Sequence, residues 1–309
     1  LQRLYGVRYD PRTEIVITSG SSEALDIALR AILDPGDEVL CADPCYVAYL
    51  PTTQMAGGCF VPVPTYSTND FRLLPGDIEA RITPRTKALL LGYPSNPTGA
   101  VMGREDLASV GEVAARHDLA VISDELYDRM TYSGMHASFP AVPGMRDRTI
   151  LLGGFSKAYA MTGWRLGWVC APAPLAEAIM KVHQYVMMSA PTAAQYAGVA
   201  ALDEGEEFVQ AMVAEFDRRR RLIVDGFRAI GLPTFEPRGA FYAFPDVRAT
   251  GLDSVAFSEL LLAEERVAVV PGNAFGASGE GHVRACYATA YEQIERAVER
   301  IGRFVQRHR

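Results

Sequence analysis

Lys157 and Arg165 are the two cations in GGFSKAYAMTGWRLG, residues 153–167, separated by eight positions. A lysine amine is a nucleophile toward carbonyl carbon and, once neutral, a base; a guanidinium offers a rigid fork of donors to an anion. Taken alone, each is explained as a solvated surface charge, because lysine is rarely buried without a chemical reason. The case for chemistry rests on what the chain brings beside them. Thr149 to Leu152, TILL, reads as a short buried strand, and the Gly, Ser, Tyr and Thr that follow suit a loop able to hold a lysine toward a pocket.

Other candidates stand at similar strand ends. Glu14 to Thr18, EIVIT, is a β-rich run, followed by Ser19, Gly20, Ser21 and Ser22 and then by apolar residues at helical spacing from Ala24 to Leu33. The first turn of such a helix offers free N–H groups and a positive dipole end, which with Ser21 and Ser22 suit a phosphate; plain N-capping by serine is the alternative. Tyr46 follows the strand Glu38–Ala42, where the chain passes into YVAYLPTTQM. Asn96 lies in the turn SNPTG after KALLLGY, residues 87–93, and Asp124 and Tyr127 follow AVIS at 120–123, which the helix Arg104–Arg116 precedes.

Strands alternating with helices in this way predict a parallel or mostly parallel α/β sheet covered on both faces. In open sheets of that kind ligands gather beyond the carboxyl ends of the strands. Ser21, Tyr46, Asn96, Asp124 and Lys157 all fall at or just past such ends. Singly they read as cap, core aromatic, turn former, helix cap and surface charge; their convergence on one edge predicts a site.

Beyond Arg165 the pattern gives a strand at Leu166–Cys170 and helices near Pro174–Met187, Thr192–Leu202 and Glu206–Ile230, the last stopping at Gly231. PTFEPRGAFYAFPDV at 233–247 is strand-like; helix Ser254–Glu265, strands Val267–Val270 and His282–Tyr287, and helix Tyr291–Gln306 complete a compact unit. The expected division is a large domain over residues 1–203 and a smaller αβ domain over 204–309, hinged near Glu204 and Gly205. Arg284, inside HVRACYAT, is by itself a charge at a strand edge.

Composition narrows the class. With 309 residues, 49% hydrophobic and 22% charged, the chain can bury a large core, and no low-complexity tract or repeat interrupts it. A net charge of −7 argues against a nucleic-acid or anionic-membrane partner. The one dense basic run, Arg218–Arg221, lies in a helical pattern and reads as a solvated face. Five scattered cysteines without a C-x-x-C pair, and five histidines without ligand spacing, indicate neither disulfides nor a metal, and fit a reducing cytosol. No signal peptide or spanning run is evident. LQRLYGVRYDP opens without Met and reads as a helix end followed by a turn, so the chain is expected to begin part-way through a longer sequence.

TSGSSEAL, DPCYVAY, SNPTG, SDELY, GFSKAYAMTGWRLG and VRACYAT, in this order, resemble the class I aminotransferases among the fold-type-I pyridoxal-phosphate enzymes. The resemblance runs through almost the whole chain. It implies a mostly parallel seven-stranded-type sheet in the large domain, pyridoxal 5′-phosphate as cofactor, and a cytosolic homodimer with its site at the subunit interface. It implies that Lys157 condenses with the cofactor aldehyde and later carries the proton between Cα and C4′, and that Asp124 keeps the pyridinium nitrogen protonated. Arg165, Ser21 and Ser22 would hold the phosphate, Asn96 and Tyr127 the ring 3′-oxygen, and Tyr46 would stack on the ring. Arg284 would grip the substrate carboxylate, and Phe241 would line the substrate pocket. The implied reaction is ping-pong exchange between an L-amino acid of aspartate, aromatic or alanine type and a 2-oxo acid such as 2-oxoglutarate. A β-lyase on the same fold is the nearest alternative; the sensing domain of a transcription regulator is another, and it would need a DNA-binding domain upstream. Two departures stand out: Gly154 replaces a phosphate-binding serine common three residues before the lysine, with Ser156 able to compensate, and the family's N-terminal segment has no counterpart. No arginine is assignable to a substrate side-chain carboxylate.

Overall fold

The structure is a computed structural model and describes residues 1–308. In chain order its elements are α1 (Gln2–Tyr5), β1 (Ile15–Thr18), α2 (Ser21–Ile32), β2 (Glu38–Asp43), α3 (Tyr49–Met55), β3 (Cys59–Pro64), α4 (Pro75–Glu79), β4 (Thr86–Gly92), α5 (Arg104–Arg116) and β5 (Ala120–Asp124). They continue with β6 (Thr149–Gly154), β7 (Gly167–Cys170), α6 (Ala173–Val186), α7 (Thr192–Glu204), α8 (Glu206–Ala229), β8 (Tyr242–Ala243), α9 (Ser254–Glu265), β9 (Val270–Pro271), β10 (Val283–Cys286) and α10 (Tyr291–Arg307).

Seven strands form one sheet in the order β1-β7-β6-β5-β4-β2-β3. From β3 across to β6 every pair is parallel, and only β7 runs against its two neighbours, β6 and β1. The near-continuous apolar runs follow from this layering, because a strand covered on both faces has no wet side. Alternate residues divide between the layers. Leu40, Leu89, Leu91 and Val121 join the core under α5, while Val39, Ala88, Leu90 and Ile122 join the one under α2 and α6. Leu89, Leu90 and Ile122 are wholly buried, each worth about 1.5–3 kcal/mol of transfer free energy.

Three expectations shift here. β3 was not anticipated: it carries Pro62 and Pro64, and it sits at the sheet edge with β2 as its only partner, where missing N–H groups are tolerated. The strand expected at Val267–Val270 is instead the two-residue β9, Val270–Pro271, and the strand-like stretch 233–247 contributes only β8. β8, β10 and β9 make a small antiparallel sheet. Its core draws Phe216, Val224 and Phe227 from α8, Phe257 and Leu261 from α9, and Ile301 and Phe304 from α10.

The arginine run on α8 is not one solvated face. Arg218 and Arg219 pair with Glu215 and Arg221 with Asp217, whereas Arg220, whose side chain is only 12% exposed, joins Asp217 to Glu236 and lies over the Tyr132 ring.

Candidate active site

A cavity of about 320 Å³ opens at the carboxyl edge of the large sheet and is lined by Ser21, Ser22, Tyr46, Asn96, Asp124 and Tyr127, together with Lys157, Arg165 and Arg284. These are the sequence-derived candidates except Phe241. Phe241 is 9% exposed and packs in the core of the small sheet, and its neighbour Tyr242 lines the cavity. Successive residues of an extended chain point to opposite sides, which sets Tyr242 on the cavity wall and Phe241 behind it, its ring 5.8 Å from Lys157 Nζ.

The loop between β6 and β7, residues 155–166, carries Lys157 and Arg165. It holds no crossover helix, only the short turn Thr162–Trp164, and returns the chain as an antiparallel neighbour. Its shape is set from within: the Thr162 hydroxyl donates to Ser156 O at 2.8 Å, Met161 N to Phe155 O at 3.2 Å, and Phe155, Met161 and Leu166 bury their side chains beneath it. Ala160 and Arg165 both adopt positive φ, 52° and 53°, a strain of the kind that concentrates at functional sites.

Arg165 reaches the start of α2 because two glycines clear its way. A Cβ on Gly20 would lie 2.6 Å from the Arg165 guanidinium, and one on Gly167 would lie 2.6 Å from Gly20 C and 2.7 Å from Ser21 N. Beneath this turn, Glu23 accepts from Ser19 N and meets His183 Nδ1 at 2.6 Å, a buried pair tying α2 to α6. Glu23 and His183 escaped the sequence reading, since 160 residues separate them. The result is an anion seat: unpaired first-turn N–H groups, two serine hydroxyls and a guanidinium.

Gly154 lies outside that seat. It pairs with Gly167 across the β6–β7 ladder, and a Cβ there would press on Leu166 O at 3.1 Å and Leu126 Cδ1 at 3.2 Å. The hydroxyls of this loop that line the cavity are those of Ser156 and Thr162.

Asp124 ends β5, opposite Gly92 of β4. A side chain on Gly92 would strike the ring of Tyr49; without one, Tyr49 passes and donates to Asp124 Oδ2 at 2.9 Å. Leu126 N donates to Oδ1 at 3.2 Å. Burial pushes the carboxyl up to about 6, with the Tyr49 and Leu126 hydrogen bonds opposing the rise. Tyr49 is a third residue that sequence reading missed; it sits three positions after Tyr46 in YVAY, and its signal is the bare glycine closing the neighbouring strand.

Lys157 is held below its ordinary value, chiefly by burial and further by Arg165 and Arg284, while Cys286 and Asp124 oppose the shift. A larger share of the neutral, nucleophilic amine results. At the far end, Arg284 donates from Nη1 to Asn96 Oδ1 at 2.8 Å, lies 4.5 Å from the Tyr242 ring, and has a buried Nε with no partner. Tyr127 shares a 2.8 Å hydroxyl contact with Tyr242. No group of His, Cys, Asp or Glu able to hold a metal occurs among the described residues.

One cavity thus joins an anion seat, a carboxylate lacking a cation, a softened amine and a guanidinium with spare donors, which together define an α/β enzyme whose lysine shares its cavity with an anion seat. The model of the family "Aminotransferase class I and II" matches residues 1–301. An aspartate aminotransferase of Pyrococcus abyssi is 44% identical over 309 residues, covering 99% of this chain and 79% of that protein. An aromatic-amino-acid aminotransferase of Thermococcus litoralis is 43% identical over 304 residues, 97% of this chain and 78% of the relative. The crystal structure of an aromatic aminotransferase from Pyrococcus horikoshii superposes with a TM-score of 0.97 at 45% identity, covering 99% of this chain and 83% of that one. The chain belongs to the class I and II aminotransferases and is an aminotransferase.

Proposed function

We propose that the chain exchanges amino groups between an L-amino acid and a 2-oxo acid such as 2-oxoglutarate with pyridoxal 5′-phosphate as its cofactor, and that each cavity residue acts as follows. The observation that carries this reading is the unbalanced charge: a buried carboxylate at one side, and at the other a guanidinium whose buried Nε lacks an acceptor. Both are costly unless a cationic ring nitrogen and an anionic carboxylate meet them. The fit is complete along the cavity. The seat of Ser21, Ser22 and Arg165, with Ser156 and Thr162 beside it, suits the phosphate; Tyr46 offers a ring to stack on; Asn96 and Tyr127 offer polar groups to the ring oxygen. When bound, the cofactor supplies an electron sink for charge left at the substrate Cα. Lys157 takes and returns the Cα proton, Asp124 holds a proton on the ring nitrogen through a charged hydrogen bond, and Arg284 fixes the substrate carboxylate with a fork that lysine could not reproduce.

The relatives carry both aspartate and aromatic names, and this reading leaves the donor open among them. Assaying oxo-acid-dependent amino exchange beside release of ammonia and pyruvate tests the function. Exchange without release is expected; release without exchange would instead assign a β-lyase.

We further place the protein in the cytoplasm, as a homodimer, with the smaller domain beginning at residue 204. Five free cysteines accord with a reducing compartment. Tyr185, Met188 and Tyr196 are 86%, 81% and 76% exposed, and Val199 and Leu202 extend Tyr196 along one side of α7, an apolar strip suited to a second copy. Sedimentation at twice the chain mass is the expected result; a monomer at micromolar concentration would refute the pairing.

A further inference from the structure

Arg284 has few restraints of its own. One hydrogen bond, to Asn96, ties its guanidinium, and its Nε is unpaired, so packing decides where the fork points. Besides Tyr242, the ring against it is Phe275, 4.8 Å from the guanidinium carbon and 3% exposed. Phe275 belongs to the loop at residues 272–279, which follows β9 and lies across the carboxyl end of β2.

That loop is caught by Asp43, the last residue of β2. Asp43 is 4% exposed, and no side-chain cation pairs with it among the described residues. Its Oδ2 accepts from Ser278 N at 3.0 Å. The loop passes so close that a Cβ on Gly276, at φ 128°, would collide with Oδ1. A second tie runs alongside, from Cys45 N to Phe275 O at 2.9 Å. Thr65 holds Asp43 itself, donating to its carbonyl from N at 2.7 Å and from the hydroxyl at 3.1 Å. A carboxylate buried with a single backbone N–H donor is expensive to keep, which argues that its place is specified.

We propose that Asp43 is a positioning residue for substrate: by clasping the 272–279 loop it seats Phe275 against Arg284 and thereby sets the grip on the substrate carboxylate. The inference rests on the reading of Arg284 given above. Asp43 is not among the residues that line the cavity. The contact it controls is made alike in the bound substrate and in the transition state, so its loss raises KM and spares kcat.

In the cofactor-loaded enzyme, Asp43→Ala is expected to raise KM for both amino acid and oxo acid about tenfold, with kcat and cofactor affinity within about twofold of the parent. Asp43→Asn keeps an oxygen acceptor for Ser278 N and is expected to behave as the parent. Phe275→Leu should reproduce the alanine phenotype, and the double variant should be no worse than Phe275→Leu. Titrating the cofactor band with an amino acid and with its decarboxylated amine isolates the carboxylate: the amino acid should bind about tenfold more weakly to Asp43→Ala and the amine unchanged. An unchanged KM, an equal loss for acid and amine, or failure of Asp43→Asn to restore KM would each overturn the proposal. Should Asp43→Ala not fold, a parent-like KM in Phe275→Leu overturns it equally. Arg284→Ala, measured beside these, separates the premises: if it leaves KM unchanged the carboxylate assignment itself falls, whereas a raised KM there with none in Asp43→Ala rejects only the clasp.

Discussion

Lys157→Ala is expected to abolish amino exchange, lowering kcat on the order of 10⁴-fold, and to remove the visible band of the lysine-bound cofactor. On the proposed reading two functions leave together with this one amine. The first is attachment: among the cavity-lining residues Lys157 is the only primary amine, so none replaces it at the aldehyde. The second is proton transfer, for which the side chain is prepared by burial and by Arg165 and Arg284, all of which favour the neutral form. The Phe241 ring lies 5.8 Å from Nζ and closes that side of the amine with an apolar surface. Cofactor affinity should fall far less than kcat, because the seat at α2 and Arg165 does not depend on Lys157. Absorbance, equilibrium dialysis and steady-state rates on one preparation read all three. A surviving visible band would mean that another lysine is the anchor.

How far the sequence disclosed this site depended on how local each signal is. The strand ends were legible because buried strands read as continuous apolar runs, and Ser21, Asn96, Asp124 and Lys157 each follow one within a few residues. The reversal of β7 does not show in the pattern, because the twelve residues between β6 and β7 are about as long as the shortest crossovers yet form only the short turn Thr162–Trp164. β3 was hidden by its prolines, which mark an edge as readily as a break. The supporting residues were the least visible. Glu23 with His183, Tyr49 with Asp124, and Asp43 with Ser278 are contacts across 160, 75 and 235 positions, and neither periodicity nor spacing reports on such pairs. Phe241 and Tyr242 show the finest grain of the problem: both are aromatic and both buried, and only the register of β8 and β10 decides which faces the cavity.

Asp124→Asn is expected to move activity and stability in opposite directions. In the cofactor-free protein burial raises the Asp124 carboxyl to about 6 from 3.8, so the folded chain binds a proton more readily than the unfolded one. Stability is therefore unaffected by this group below about pH 4, falls as pH rises between the two values, and has lost about 2–3 kcal/mol by pH 7. Asparagine keeps the shape and an acceptor for the Tyr49 hydroxyl but carries no charge, so the variant should be more stable than the parent at pH 7 by up to that amount and equal to it near pH 4. Urea denaturation of the two cofactor-free proteins at both pH values measures the difference. On the proposed reading cofactor binding would invert the balance, since a ring cation against Asp124 would restore what burial costs the carboxylate, and a neutral amide cannot hold a proton on the ring nitrogen. Exchange should fall on the order of 10³-fold, with KM for substrate changed far less, because the lost interaction strengthens as charge develops in the ring. A variant that is both less stable without cofactor at pH 7 and fully active would show that Asp124 is a packing residue, and that its place at the end of β5 serves the sheet and not the reaction.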